Sequence, residues 1–468
     1  MIAKEVAERV IYRSTLKLNR QMLRMYLYNS GGHLNILVMG QCTLHWGRME
    51  FGNIGNYYII EPFFRELHRC FPNADIRTTM QLSERFCEQE KVIALPMALY
   101  YAWRENELEL VRHELHISET IKNTGVCEDT SPYIDAVKSA DLVIDFSGDI
   151  WGDNANFLGE DRFEVGLLKD QVAQNLGKPT AMLAGSPGPF SNSETLDLAK
   201  KIYAQFDLVT NRESSSTNLL AEQGFDTSKT VSLACPAFLF EPEKFSNIKD
   251  LLQRWGLLPE QRKKPVVGFI LCGWNFEKGP FDLWPRDDGD YINFAKSIEF
   301  ISEKLGAQVC LMSHSNGFDI PPASFRLKHG RDYPIAKQLQ AFVEYRGIAK
   351  DVICLDGIYN PWQTKSIVGT FDMLVSGRVH GAVAGLSQFV PTVIIDYGYE
   401  PKAHKLIGFA TVAGVPEYVA NPTNGNELNE RIESCWNRRQ EIRVFLDRRI
   451  PEVKDMARKN FSRLRGII

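Results

Sequence analysis

No apolar run in this sequence reaches the roughly 18–20 residues that span a bilayer, and its first residues lack the apolar core of a secretory signal. Its nine cysteines (42, 70, 87, 127, 235, 272, 310, 354 and 435) include no Cys-x-x-Cys pair. Several, such as Cys310, sit inside apolar strand-like runs, so they read as reduced core residues of a cytosolic protein. An excess of one charge is missing too: 54 Lys and Arg against 58 Asp and Glu leave a net charge of −4, which argues against a dedicated nucleic-acid binder. There is no Gly-x-Gly-x-x-Gly fingerprint and no Walker loop. No ligand set has the spacing of a metal site, and there is no fixed-period repeat or low-complexity tract.

What is present points to an α/β protein. A chain of 468 residues exceeds one ordinary core, so two domains are expected. From Leu34 onward, short apolar strands alternate with helical stretches, the pattern of a parallel, doubly wound sheet. Residues 34–245 form a first Rossmann-like domain with strands near Asn35–Met39, Ala74–Thr78, Leu142–Phe146, Thr180–Leu183, Leu208–Asn211 and Val231–Ala234. The polar stretch 246–264 reads as a linker. Residues 265–425 form a second such domain, with strands at Val266–Leu271, Gln308–Ser313, Val352–Leu355, Met373–Ser376 and Thr392–Asp396. The expected architecture is two Rossmann-like domains facing across a cleft, with extra helices at both termini. Residues 1–33 carry a basic stripe (Lys4, Arg9, Arg13, Lys17, Arg20, Arg24) at helical spacing, and 426–468 form basic helices expected to pack back on the first domain. Solvated helix faces are the favoured reading of both, with peripheral contact to an anionic membrane as the alternative.

Six loops at expected strand ends carry candidate chemistry. Ser376-Gly377-Arg378-Val379-His380-Gly381 joins an apolar strand to a small-residue helix start. Arg378 offers a planar fork for phosphate or carboxylate, and His380 can donate a proton near neutral pH. Cations at a helix N-terminus form an anion site. Gly52-Asn53-Ile54-Gly55-Asn56 is a glycine-rich loop, either a ligand cradle or a tight turn. Asp145 to Asn154, holding Asp149, Trp151 and Asp153, has carboxylates that bind sugar hydroxyls, act as bases, or cap helices. Gly185-Ser186-Pro187-Gly188-Pro189-Phe190 reads as a cleft wall. Arg212 pairs with Glu213 or binds an anion. His314, beside Ser315 and Gly317, is a ligand contact or a hydrogen-bonded loop histidine.

In order along the chain, these stretches resemble the polysaccharide pyruvyltransferase family. The resemblance runs from Leu34 to Gly408 and is carried most specifically by Ser376-Gly377-Arg378-Val379-His380, then Pro391, a strand ending near Tyr397, and Lys405. It implies a GT-B-like fold and transfer of the enolpyruvyl group of phosphoenolpyruvate to two hydroxyls of one sugar, giving a cyclic ketal and free phosphate. It further implies that Arg378 and Lys405 (or Lys402 as the equivalent lysine) hold the donor's phosphate and carboxylate, with Ser376, His314 and Arg212 on the donor side. His380 becomes the acid. The acceptor falls to Asn53, Asn56, Asp149, Asp153 and Trp151. No cofactor or metal is implied beyond the donor itself. The expected setting is the cytoplasm, at the inner face of the membrane if the acceptor is lipid-linked.

Asn56 stands where the family usually has Asp, which bears on acceptor identity and on activity. Two other readings share these features. One is a GT-B glycosyltransferase using a nucleotide sugar, for which Glu400 would be the ribose ligand. The other is an inactive glycan-binding relative. The sequence is silent on oligomeric state and on the acceptor sugar.

Overall fold

The computed structural model describes residues 33–43, 47–277, 285–319, 324–349, 352–397 and 404–468. The basic stripe at positions 4–24, Glu400 and Lys402 lie outside the described residues. The chain divides into two compact units.

The first unit gathers the described residues up to Met49, then Phe63–Leu233 and Arg458–Ile468. Its sheet contains β1 (Asn35–Met39), β2 (Asp75–Thr78), β3 (Val92–Ala94), β4 (Leu142–Asp145), β5 (Thr180–Gly185), β6 (Leu208–Asn211) and β7 (Thr230–Ser232), in the order β3-β2-β1-β4-β5-β6-β7. Every pairing is parallel, with Ile36 of β1 opposite both Ile76 and Leu142. Helices cover both faces of such a sheet, so its central strands are buried on both faces rather than alternating; all five residues of β1 are buried.

The second unit gathers Glu50–Pro62 and Ala234–Ala457. Its main sheet contains β8 (Val266–Ile270), β9 (Gln308–Leu311), β12 (Val352–Cys354), β13 (Met373–Ser376), β14 (Thr392–Ile395) and β15 (Val419–Ala420), in the order β12-β9-β8-β13-β14-β15 and again parallel. A small antiparallel hairpin, β10 (Asn316–Phe318) with β11 (Leu327–His329), follows β9. In both sheets strand order reverses beside the first strand of the unit. Ligands of open α/β sheets bind at that reversal, beyond the carboxyl ends of the strands. In the second unit this places the loops after β8 and β13 at the binding position.

Of the helices, α1 (Ile54–Cys70), α2 (Arg162–Asn175), α3 (Phe245–Arg254), α4 (Asp332–Tyr345), α5 (Pro361–Gly369), α6 (Val379–Leu386), α7 (His404–Ala413), α8 (Gly425–Asn437) and α9 (Arg439–Ser462) matter below. The expected linker 246–264 is instead part of the second unit. Helix α3 buries Ile248 and Leu252, which stand at i and i+4 on one face, and Leu257 and Leu258 follow them inside. Its polar majority is the exposed side of an amphipathic helix. The basic C-terminal segment also departs from expectation: up to Ala457 it belongs with the second unit, and only Arg458–Ile468 group with the first. Some of its arginines are matched, Arg449 by Glu452 and the Val412 carbonyl and Arg438 by Glu441, and Lys454 reaches Glu241 at 3.3 Å.

Within the first unit Phe63 is fully buried, stacked on Phe146 at 4.0 Å and edge-on to Phe461 at 5.4 Å. Phe63→Ala removes both contacts and leaves a cavity. The expected cost is about 3–5 kcal/mol, read as a lower denaturant midpoint.

Candidate active site

The site is built on the turn from β13 into α6. Ser376 closes it: its hydroxyl donates to the Arg378 carbonyl at 2.9 Å and accepts from the Arg378 amide at 3.2 Å. Gly377 is required because Asn275 occupies the space where a β-carbon would stand. Asn275 in turn accepts from the Cys272 amide at 2.9 Å, and the Cys272 thiol donates to the Gly377 carbonyl at 3.0 Å. Burial pushes the Cys272 thiol up to about 11, so it stays protonated. The loops after β8 and β13 are thus locked together at the strand-order reversal.

Arg378 occupies the N-cap position of α6 with extended backbone. Its Nε donates to Asp332 Oδ2 at 3.0 Å and its Nη2 to Oδ1 at 2.5 Å, a bidentate pair. The Asp332 side chain is completely buried, whereas that of Arg378 is 15 % exposed. Burial alone would push the guanidinium pKa down, but the Asp332 charge, the neighbouring Cys272 and Tyr397 and the hydrogen bonds to Asp332 together outweigh it and hold the group above its ordinary value. Asp332 Oδ2 also accepts from the His314 amide at 3.2 Å, and the Asp332 amide donates to Ser315 Oγ at 3.1 Å.

His314 is 0 % exposed, edge-on to Tyr58 at 5.4 Å, and neither ring nitrogen has a hydrogen-bond partner. Burial first, and the Arg378 charge second, push its pKa down to about 3. It is therefore a neutral imidazole with unused hydrogen-bonding capacity, not a second cation.

The loop at Asn53 completes the group. Asn53 forms an antiparallel bridge with Ser315, its Oδ1 accepts from the Gly55 amide at 3.1 Å, and its Nδ2 lies 3.4 Å from Asn56 Oδ1. Gly55 lies so close to His380 that a β-carbon there would stand 2.6 Å from His380 Cβ and 2.7 Å from Nδ1. The other ring nitrogen of His380, Nε2, is 3.8 Å from Cys235 Sγ, and Phe409 is edge-on to the ring at 5.9 Å. Lys405 is buried in the first turn of α7.

The expected residues therefore sort differently from the sequence reading. Asn53 and Asn56, expected on the acceptor side in the first domain, belong to the second unit beside Ser315 and His380, because the close approach at Gly55 seats their loop there. Arg378 is not an open fork, since Asp332 occupies one of its edges. The Ser376 hydroxyl is committed to the turn. In the first unit Trp151 is a core residue, not a sugar platform: it is 2 % exposed, packs among Phe163, Phe190 and Tyr203, and donates its Nε1 to Asp170 at 3.2 Å. Asp153 accepts from the Ser191 amide and hydroxyl, holding a turn. Arg212 also belongs to the first unit, where its Nε donates to Ser186 Oγ at 2.7 Å and that hydroxyl donates to Glu213 at 2.8 Å. Asp149 stays half-buried in the loop after β4. Asp332 was missed. An acid opening a helix reads from sequence as a helix-end residue, and nothing ties it to an arginine 46 positions away. Among the described residues, no group of three or more His, Cys, Asp or Glu side chains is placed to hold a metal ion.

A family model described as polysaccharide pyruvyl transferase matches residues 53–399. The chain belongs to this family. The match opens at Asn53 and includes the Arg378–His380 turn. Among curated relatives, the amylovoran biosynthesis protein AmsJ of Erwinia amylovora is 24% identical over 401 residues, covering 83% of this chain and 88% of AmsJ. Solved structures share the fold at low identity. A glycosyltransferase from Rickettsia africae superposes with a TM-score of 0.55 at 10% identity, covering 93% of this chain and 99% of that one. Anabaena Alr3699/HepE in complex with UDP and glucose gives 0.51 at 15% identity, covering 92% and 97%. The UDP-GlcNAc 2-epimerase of Neisseria meningitidis gives 0.52 at 10% identity, covering 92% and 100%. The chain therefore has a GT-B-like fold, with two Rossmann-like units. Among its described residues no helix is long and apolar enough to cross a membrane.

Two outcomes check this geometry. Gly55→Ala forces His380 or the Asn53 loop to move, and displacement of a reacting group by about 1 Å costs on the order of 100-fold in rate; kcat/KM should fall by that order with the fold retained by circular dichroism. His314 also makes stability pH-dependent. Its folded pKa, about 3, lies below the ordinary histidine value of about 6.5, so between them the unfolded chain binds more protons. Its contribution is complete above about pH 6.5 and is lost as pH falls toward 3, at up to about 1.4 kcal/mol per pH unit. Denaturant melts of wild type and His314→Gln should therefore converge on acidification.

Proposed function

We propose that this enzyme transfers the pyruvyl group of phosphoenolpyruvate to two hydroxyls of one sugar in a glycan or glycan precursor, forming a cyclic ketal and releasing phosphate. The observation that carries this reading is the Arg378–His380 turn. A cation and a proton donor stand two residues apart at the first turn of α6, at the strand-order reversal of the second sheet. That location suits a small, highly charged anion, because helix N–H groups and dipole add to the side-chain charge. Family membership supports pyruvyl transfer, and the part AmsJ takes in amylovoran biosynthesis supports a glycan as acceptor.

In this reading Arg378 holds the donor's phosphate or carboxylate through the guanidinium edge left by Asp332, assisted by Lys405 and by Lys402. Neutral His314, 0 % exposed, backs the Arg378–Asp332 pair through its amide bond to Asp332 rather than touching the anion. His380 protonates the donor's methylene carbon as the first sugar hydroxyl bonds to the central carbon. The second hydroxyl then bonds to that carbon, the carbon–oxygen bond to phosphate breaks, and the two hydroxyl protons are accounted for by the new methyl group and the departing phosphate. Charge builds on the leaving phosphate, where fixed cations lower the barrier most. The sequence of steps is redox-neutral, so no cofactor is assigned. Asp149 remains the first unit's candidate acceptor contact. A lipid-linked acceptor would bring the enzyme to the inner face of the membrane.

Thermal unfolding with phosphoenolpyruvate tests the donor. Saturation at about 100 times Kd stabilises the native state by about 2.7 kcal/mol, so Tm should rise in wild type and not in Arg378→Ala, with phosphate release on adding acceptor glycan. A rise with a nucleotide sugar and none with phosphoenolpyruvate would replace this reading with glycosyl transfer.

A further inference from the structure

The carboxylate facing Arg378 has no role in the reading above, on which this inference rests. Asp332 and Arg378 form an asymmetric pair: the acid side chain is completely buried, while the arginine side chain keeps some exposure. Two of the guanidinium nitrogens are committed to the acid, and Nη1 has no partner among the described residues. The same carboxylate oxygen that holds Nε also holds the His314 amide. The Asp332 amide holds Ser315, and Ser315 is bridged to Asn53. One residue at the start of α4 therefore sets the positions of three segments that bear candidate ligand groups.

We infer that Asp332 is a positioning residue for donor binding. It fixes the guanidinium plane so that Nη1 is the edge offered to the donor anion, and it holds the His314–Ser315 loop in register with that edge. A bidentate carboxylate suits this task because it removes rotation about the last bonds of a long side chain before the ligand arrives, and that ordering cost is then absent from the binding step. The residue touches neither substrate nor reacting atom. It acts through Arg378.

Steady-state kinetics with phosphoenolpyruvate test this in four variants: Asp332→Asn, Asp332→Glu, Arg378→Lys and the Asp332→Asn/Arg378→Lys double variant. Asp332→Asn weakens one arm of the pair, and Asp332→Glu keeps the charge while moving it outward by one methylene. Both should raise KM for phosphoenolpyruvate about tenfold or more while kcat changes by about threefold or less. The double variant should be no worse than Arg378→Lys alone, because the two residues act as one unit. A KM within about twofold of wild type in folded Asp332→Glu would overturn the inference. So would effects that multiply in the double variant, the outcome expected of a residue that only stabilises the fold. If Asp332→Asn does not fold, Asp332→Glu with Arg378→Lys carries the same comparison. Wild type that releases no phosphate from the donor with any glycan would remove the proposed function. An active wild type with indifferent Asp332 variants would remove only this inference.

Discussion

A carboxylate with no water around it needs a partner for each oxygen, and Asp332 takes its partners from two separate loops. Arg378 supplies two N–H groups and the backbone at His314 a third. The cost of burying a charge without such partners is several kcal/mol, so these loops cannot drift apart independently. The strand end carrying Arg378, the loop carrying His314 and, through Ser315, the loop carrying Asn53 become one assembly. The sheet beneath contributes a parallel platform whose central strands are buried on both faces, so the loops at its carboxyl ends start from fixed points.

The first unit fastens its loop ends with backbone hydrogen bonds and serine hydroxyls. The loop after β4 and the loop after β5 are zipped together: the Ser186 amide donates to the Gly148 carbonyl at 3.0 Å, the Gly188 amide to Trp151 at 2.8 Å and the Asp153 amide to Pro189 at 2.9 Å. Trp151 anchors them in an aromatic cluster. Glu213, fully buried, is satisfied by Ser186, by the Ser216 hydroxyl and by the Ser216 amide at 2.7 Å. Residues that look like sugar contacts in sequence are spent here on making the loop ends rigid. His314 is the opposite case: its backbone is tied down but its ring nitrogens are left unsatisfied, an arrangement that costs about 1–3 kcal/mol for each such group.

Much of this was legible in the chain. The strands at Asn35–Met39, Leu208–Asn211 and Met373–Ser376 have the expected extents, because each is marked by adjacent apolar residues (Ile36–Met39, Leu208–Val209 and Met373–Val375), as a parallel strand buried on both faces tends to be. Short edge elements such as β3, β15 and the β10–β11 hairpin were not legible, since two or three residues paired at a sheet edge carry no periodicity. The apparent linker at 246–264 failed for a related reason. Its composition is polar, but Ile248 and Leu252 share one buried stripe, and composition does not see stripes.

The candidate site divides along the same line. Local chemistry determined by itself that Arg378 and His380 sit together at a strand-to-helix turn, because their spacing and the small residues around them are contiguous, and that both halves of the chain are Rossmann-like. What surrounds those groups was decided only by the fold. Burial and a neighbouring guanidinium make His314 neutral. A carboxylate from a distant helix occupies one edge of Arg378, and a glycine brings the Asn53 loop against His380. Each of these is a property of groups far apart in the chain and close in space. The charge state of an imidazole, the open edge of a guanidinium and the seat of a loop depend on what is a few ångströms away, and sequence order does not encode that distance.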